Sequence, residues 1–259
     1  MKEELKVVLI QAPLVWENPE ANRDYFSAKI KEINNKAHLI VLPEMFTTGF
    51  TMNVEPLAET MDGVTIYWMK EIAAESGAAI TGSIIITEDG NYYNRLLFVT
   101  PEGELFQYDK KHLFTLANEQ DHYSPGTKKL IVEYKGWKIC PLICYDLRFP
   151  VWARNIENYD ILIYVANWPE IRTKAWDVLL QARAIENMAY CIGVNRVGED
   201  GKGFDYIGHS AVYDALGEIT SAQNFELENL FHTTLSKTHI EAVRSKLKFL
   251  NDKDTFLII

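Results

Sequence analysis

At 259 residues with 47% apolar content, the chain is long enough for one large core, and neither a linker nor a repeat divides it, so one domain over residues 1–259 is expected. Its 26 basic and 36 acidic residues leave a net charge of −10, which argues against an extended phosphate-binding surface and against nucleic acid as a partner. The opening Met1-Lys-Glu-Glu-Leu-Lys6 lacks a cleavable apolar signal, and no window approaches the roughly 18 apolar residues of a membrane span. A cytoplasmic protein with no membrane partner, acting on small molecules, is the expectation.

In chain order, residues 7–11 read as a buried strand, and Asn18-Pro19 opens a helix running to about Asn34, with proline in the first turn, where its missing N–H costs nothing. A strand over 38–42 precedes a helix over 64–76 that stops at Gly77. Residues 79–87 and 92–100 flank Glu88-Asp-Gly-Asn91 as a hairpin. The turn Pro101-Glu-Gly-Glu104 leads into a strand ending before Lys110, and Tyr134-Lys-Gly136 turns residues 131–133 into the strand that ends at Cys144. A helix over 150–158, a strand over 161–166 and a helix over 174–187 follow, with strands at 190–197, 210–213 and 230–235. Gly198-Glu-Asp-Gly-Lys-Gly203 lacks the spacing and the hydroxyl residue of a phosphate loop and is read as a turn between strands. Helices alternating with strands and hairpins imply a layered α/β architecture. The apolar tail Asp252-Lys-Asp-Thr-Phe-Leu-Ile-Ile259 is expected to dock on the body or on a second subunit.

Three buried runs end in chemistry. His38-Leu-Ile-Val-Leu-Pro-Glu44 ends in a carboxylate, Glu104-Leu-Phe-Gln-Tyr-Asp-Lys110 in an ammonium, and Lys138-Ile-Cys-Pro-Leu-Ile-Cys144 in a thiol. A thiol at a strand end, followed by a turn whose backbone N–H groups face its sulfur, has the geometry of a nucleophile. Such a thiol needs a base or a nearby cation to raise its thiolate fraction, and Glu44 and Lys110 supply one of each. Taken singly, Glu44 reads as a loop-capping carboxylate, Lys110 as a solvated cation and Cys144 as a core thiol; jointly they read as a site. Cys140 and Cys191 lie in apolar runs and are expected in the core. With Cys144 they make an odd, sparse set that suits a reducing compartment. The histidines show no zinc-type pairing, so no metal is expected.

The segments Leu42-Pro-Glu44, Tyr108-Asp-Lys-Lys-His-Leu-Phe114 and Ile143-Cys-Tyr-Asp-Leu-Arg-Phe149 resemble the three signature segments of the nitrilase (carbon-nitrogen hydrolase) superfamily, in its order and approximate spacing. Likeness continues in Asn118-Glu-Gln-Asp-His-Tyr-Ser-Pro-Gly126, Ala166-Asn-Trp-Pro169 and Trp176-Asp-Val-Leu-Leu-Gln-Ala-Arg-Ala-Ile-Glu-Asn187, covering nearly the whole chain; residues 167–187 are most similar to the omega-amidase branch. The resemblance implies a four-layer α-β-β-α sandwich, a homodimer assembled through helices, and hydrolysis of a small amide with water and no cofactor. In the resembled mechanism Cys144 attacks the amide carbon, Glu44 is the acid and base, and Lys110 with the Tyr145 N–H meets the oxyanion. Glu119 holds Lys110 and orients the amide, and His112 is structural. Lys110 is chosen over Lys111 because the family's lysine opens Lys-x-His-Leu.

Omega-amidases act on the terminal amides of 2-oxo acids such as 2-oxoglutaramate and 2-oxosuccinamate. Arg148 and Trp168 are the candidates for the substrate's carboxylate and carbon chain, with Arg172 a second candidate for the anion. Arg148 reads equally as a dimer-interface or helix-start residue, and Trp168 as packing. An N-carbamoyl compound, an aliphatic amide or a nitrile on the same triad, and a non-catalytic binding protein on the same fold, remain the alternatives.

Overall fold

The structure, a computed structural model, describes residues 3–34, 36–221 and 226–257. The first strand, β1 (Glu4–Gln11), turns Leu5, Val7 and Leu9 into one interior and Val8 and Ile10 into another, which is why its apolar run is continuous rather than alternating. Helix α1 (Pro19–Glu32) starts where the Asn18 side chain accepts the Ala21 N–H, with Pro19 in the first turn. After β2 (Leu39–Val41), helix α2 (Val64–Ser76) stops at Gly77, whose φ of 62° is the left-handed value a glycine end-cap supplies. Strands β3 (Ala79–Glu88) and β4 (Asn91–Val99) close through Asp89-Gly90, both at positive φ, the turn that matches strand twist. The chain continues through β5 (Leu105–Asp109), β6 (Val132–Tyr134), β7 (Trp137–Ile143), α3 (Pro150–Ala153), β8 (Ile161–Ala166), α4 (Thr173–Asn187) and β9 (Tyr190–Asn195). It ends with β10 (Val197–Glu199), β11 (Asp205–Ile207), β12 (Ala211–Tyr213), β13 (Asn229–Ser236) and α5 (Lys237–Leu247).

Two sheets carry the core. One has the order β13-β1-β2-β3-β4-β5 and the other β12-β9-β8-β7-β6. Leu5, Val7, Leu39, Val41, Leu96 and Phe98 of the first sheet share an interior with β7, β8 and β9 of the second. The opposite face of the first sheet packs Val8, Ile40, Ile80 and Leu97 against Phe26 and Ile30 of α1 and Ile66, Met69 and Ile72 of α2. Helix α4 covers the second sheet through Trp176 and Leu180, so closely that a Cβ on Gly193 of β9 would lie 2.4 Å from Leu180 Cδ1. The result is the expected four-layer α-β-β-α sandwich.

In the first sheet β1, β2, β3 and β5 run in one direction, since β1, β2 and β3 pair in parallel and β4 reverses twice. Strands β7, β8 and β9 are likewise parallel. The carboxyl ends of β2, β5, β7 and β8 therefore present Glu44, Lys110, Cys144 and Asn167, at the edge where open α/β sheets bind ligands.

Several expectations need correction. The helix expected over 150–158 ends at Ala153, because Arg154 turns extended (ψ 131°) and the Asn155 side chain bonds Tyr159 N, Tyr159 O and Asn187 O at 2.8–3.0 Å, holding the segment as a loop. The strand expected over 190–197 breaks after Asn195, whose side chain leaves the ladder to bond the backbone of Trp168, Arg196 and Gly208. The glycine-rich segment at 198–203 is a turn between strands, as expected, and it closes a separate hairpin of β10 and β11. Helix α5 was not expected; it is capped by Ser236 and seats Ile240 and Val243 in the core. Leu257 is 84% exposed, so the tail does not dock on the chain's own body there, and residues 258–259 lie outside the described residues.

Candidate active site

Glu44 lies in the turn after β2, which remains stitched to β3 through Leu42 N to Thr81 O (2.8 Å), Met45 N to Ser83 Oγ (2.9 Å) and Phe46 N to Ser83 O (3.1 Å). Its carboxylate is fully buried. Oε1 accepts from Lys110 Nζ at 3.0 Å and Asn94 Nδ2 at 2.8 Å, and Oε2 accepts from the Asn167 N–H at 2.8 Å. Asn167 Nδ2 also donates to the Glu44 carbonyl at 2.5 Å.

Lys110 follows β5, its backbone N–H bonded to Asn94 O at 3.0 Å. Its Nζ reaches both oxygens of Glu119, at 3.0 and 2.9 Å, and Glu119 Oε2 also accepts the Phe114 N–H at 2.5 Å. One buried ammonium thus bridges two buried carboxylates. Lys111 points elsewhere, its Nζ 5.5 Å from the Trp152 ring centroid, in keeping with the choice of Lys110.

Cys144 follows β7 at a φ of 42°, a left-handed conformation costly for a side chain with a Cβ and common where a strand turns sharply to expose a nucleophile. The turn is held from beneath. Asp146 accepts from Ile143 N (3.1 Å), Tyr108 Oη (2.7 Å) and His112 N (3.0 Å), and its Oδ1 lies 2.8 Å from His112 Nδ1. His112 also stacks on Phe149 with centroids 3.7 Å apart, so it sits as the expected structural residue, paired with Asp146 rather than with the thiol. The Cys144 sulfur lies 3.9 Å from Asn167 O. Of the three free cysteines only Cys144 is partly exposed, and Cys140 and Cys191 are in the core as expected.

Burial opposes the charge on Lys110, but Glu119 and then Glu44 more than offset it, holding the ammonium protonated above the ordinary lysine range. Burial pushes the Glu119 carboxyl up, the Glu44 charge adding to it and Lys110 opposing. The residue Cys144 reaches the cavity, yet its sulfur is enclosed by protein, and burial followed by the Glu44 charge drives the thiol well above its ordinary value against the pull of Lys110. Two carboxylates outnumber one ammonium, so a further anion is disfavoured at rest. A thiol raised in this way suits activation by a general base rather than a preformed thiolate.

These groups open into a cavity of about 270 Å³. Tyr145, in the short 3-10 turn after Cys144, lines it at a position whose N–H precedes the turn's own bonds. Arg148, Trp168 and Arg172 line it too: the Arg148 guanidinium lies 4.9 Å from the Trp168 centroid, Arg172 lies 5.1 Å from that of Phe114, and Trp168 Nε1 donates to Arg172 O at 2.8 Å. All eight candidate residues, Glu44, Glu119, Lys110, Cys144, Tyr145, Arg148, Trp168 and Arg172, therefore meet in one place. The sequence reading missed Asn94, gave Asn167 no role, and took residues 198–203 as a turn between strands without bringing Lys202, Phe204 and Tyr206 of that hairpin to the same wall. A buried asparagine inside an apolar strand was the available signal for Asn94. For the hairpin there was none, because its strands are three residues each. The one acid of that wall, Asp200, is occupied by Lys202 N, Phe204 N and Tyr206 Oη, which leaves the arginines facing the cavity without an ion pair among the described residues.

Comparison with known proteins agrees with this geometry. A model of the carbon-nitrogen hydrolase family matches residues 6–245. The chain is 43% identical to the omega-amidase YafV of Yersinia enterocolitica over 98% of its own length and 99% of that protein's. It is 30% identical to the 2-oxoglutaramate amidase of Bacillus subtilis, over 94% and 95% respectively. Among solved structures, a CN-hydrolase superfamily protein of Xanthomonas campestris with an arsenic adduct in its active site superposes with a TM-score of 0.96 at 42% identity, covering 99% of both chains.

Proposed function

Since the chain belongs to the carbon-nitrogen hydrolase family, the nitrilase superfamily, we propose that it is an omega-amidase hydrolysing the terminal amide of a 2-oxo acid, 2-oxoglutaramate or 2-oxosuccinamate, with release of ammonia. It is a hydrolase of carbon-nitrogen bonds other than peptide bonds. The observation that carries the substrate reading is that one cavity holds the Cys144 thiol at its floor and the Arg148 and Arg172 guanidiniums on its walls. A protein of net charge −10 that takes an anionic amide needs local cations beyond the catalytic lysine, and planar guanidiniums suit a carboxylate.

Glu44 takes the thiol proton as the Cys144 sulfur bonds to the amide carbon, and the carbonyl π electrons move onto oxygen. Lys110 Nζ and the Tyr145 N–H stabilise that oxyanion. The oxyanion collapses, the C–N bond breaks, and Glu44 returns the proton to the leaving nitrogen, giving ammonia and a thioester. Glu44 then deprotonates water, which attacks the thioester carbon; the second oxyanion collapses, and the sulfur leaves with the proton from Glu44. Glu119 keeps Lys110 charged and aimed throughout. Trp168 walls the carbon chain beside Arg148.

The working unit in this reading is one domain over residues 1–259, free of cofactor, assembled as a homodimer in the cytoplasm on a small-molecule amide and water. Exposed Val178 and Ile185 on α4, with Leu216 nearby, supply an apolar face suited to a second copy. No helix among the described residues is long and apolar enough to cross a membrane.

Ammonia release from a panel of 2-oxoglutaramate, 2-oxosuccinamate, glutamine, nitriles and N-carbamoyl amino acids tests the substrate. The two 2-oxo acid amides should give the highest kcat/KM; preference for a nitrile or an N-carbamoyl compound would overturn the omega-amide reading while leaving the hydrolase class intact.

A further inference from the structure

Asn94 is a polar residue with no exposed surface, placed inside β4 beside the end of β5. It touches two members of the triad in different ways. Its backbone carbonyl accepts the Lys110 N–H at 3.0 Å, which fixes where the lysine leaves β5, and its Nδ2 donates to Glu44 Oε1 at 2.8 Å. The same Oε1 accepts from Lys110 Nζ, while Oε2 is held by the Asn167 N–H. Lys110 Nζ is shared between Glu44, Glu119 and, in the proposed mechanism, the oxyanion, whereas Asn94 Nδ2 donates to Oε1 alone.

A second observation separates this arrangement from ordinary core packing. Asn94 Oδ1 is buried and finds no hydrogen-bond partner among the described residues. A buried carbonyl without a donor costs stability, so this side chain is a poor choice for the fold alone. Because Nδ2 is committed to a carboxylate, exchanging the amide's two ends would set oxygen against oxygen, and the orphaned acceptor follows from keeping the donor on Glu44.

We infer that Asn94 is a positioning residue for the general base: it holds the Glu44 carboxylate in the plane that receives the Cys144 proton, through the half-reactions in which Lys110 is engaged with the oxyanion. The inference rests on the hydrolytic reading of the site given above, but on no particular substrate.

Asn94→Ala should lower kcat about 10- to 100-fold, the scale of a hydrogen bond to a charged group, with KM within about twofold and the thermal midpoint close to wild type. Alkylation of Cys144 by iodoacetamide should slow in parallel, and since this readout needs no omega-amide, it decides the inference even if the substrate assignment fails. Should Asn94→Ala not fold, Asn94→Asp carries the test. The introduced carboxyl repels Glu44 when ionised and donates to it when protonated, so activity relative to wild type should rise from about pH 8 to about pH 5.5. A folded Asn94→Ala with unchanged kcat and alkylation rate, or an Asn94→Asp ratio flat with pH, would overturn the inference.

Discussion

In the proposed mechanism Cys144 carries the chemistry, because it is the one cysteine that combines a left-handed backbone, access to a cavity and a buried carboxylate within reach of its proton. Cys144→Ala and Cys144→Ser should therefore leave the unfolding transition in place and remove turnover, since neither an alanine nor a hydroxyl replaces the sulfur in the covalent step. Peptide mapping after brief iodoacetamide treatment should find Cys144 modified and Cys191 intact; loss of activity that tracks Cys191 would move the nucleophile. Lys110 faces a charge that exists mainly in the transition state, so Lys110→Ala should reduce kcat on the order of 100- to 1,000-fold with a much smaller change in KM. Lys111→Ala, over the Trp152 ring, should be nearly silent in the same assay. Arg148→Lys keeps the charge but loses the planar fork and its stack on Trp168, and KM for a 2-oxo acid omega-amide should rise several-fold with kcat little changed. Unchanged steady-state kinetics would transfer the carboxylate to Arg172.

At the level of elements, what was legible followed from two-sided burial and from punctuation. Helix α2 and strand β8 have the bounds their sequences imply, 64–76 and 161–166, because Gly77 and two flanking polar segments mark their ends. Residues 150–158 failed for a tertiary reason: Asn155 is recruited by Tyr159 and Asn187, a contact 32 residues away that no local pattern announces. Asn155→Ala removes three buried side-chain hydrogen bonds and should cost about 2–3 kcal/mol, measured as a lower denaturant midpoint. Helix α5 was within reach of the sequence, with Ser236 before Ile240, Val243 and Leu247 at helical spacing, and went unread beside the stronger strand signal at 230–235. The contact of α4 on β9 makes a separate demand. A methyl on Gly193 would meet Leu180 Cδ1 and Trp176 Cζ2, so Gly193→Ala should cost about 1–3 kcal/mol by overpacking, and a thermal midpoint equal to wild type would show that α4 yields.

Across the whole molecule, the triad was legible because Glu44, Lys110 and Cys144 each lie just past the end of a strand, and strand ends are visible in sequence. Their convergence was not. It depends on two sheets whose parallel strands end at one edge, a property of topology, and only the family resemblance anticipated it. For the same reason the sequence did not bring Asn94, a polar residue visible inside a strand that runs the other way, or Tyr206 of the β10–β11 hairpin to the site. The whole fold thus serves to bring one protonated thiol, one base and one ammonium to the floor of a cation-walled cavity. Acid-quenched intact mass during turnover of 2-oxoglutaramate examines that claim most directly. The account predicts a mass increase of one 2-oxoglutaryl group, mapped to the peptide holding Cys144 and absent in Cys144→Ala, while ammonia accumulates. Ammonia released by a Cys144→Ala protein at the wild-type rate, or an acyl group mapped to another residue, would contradict it.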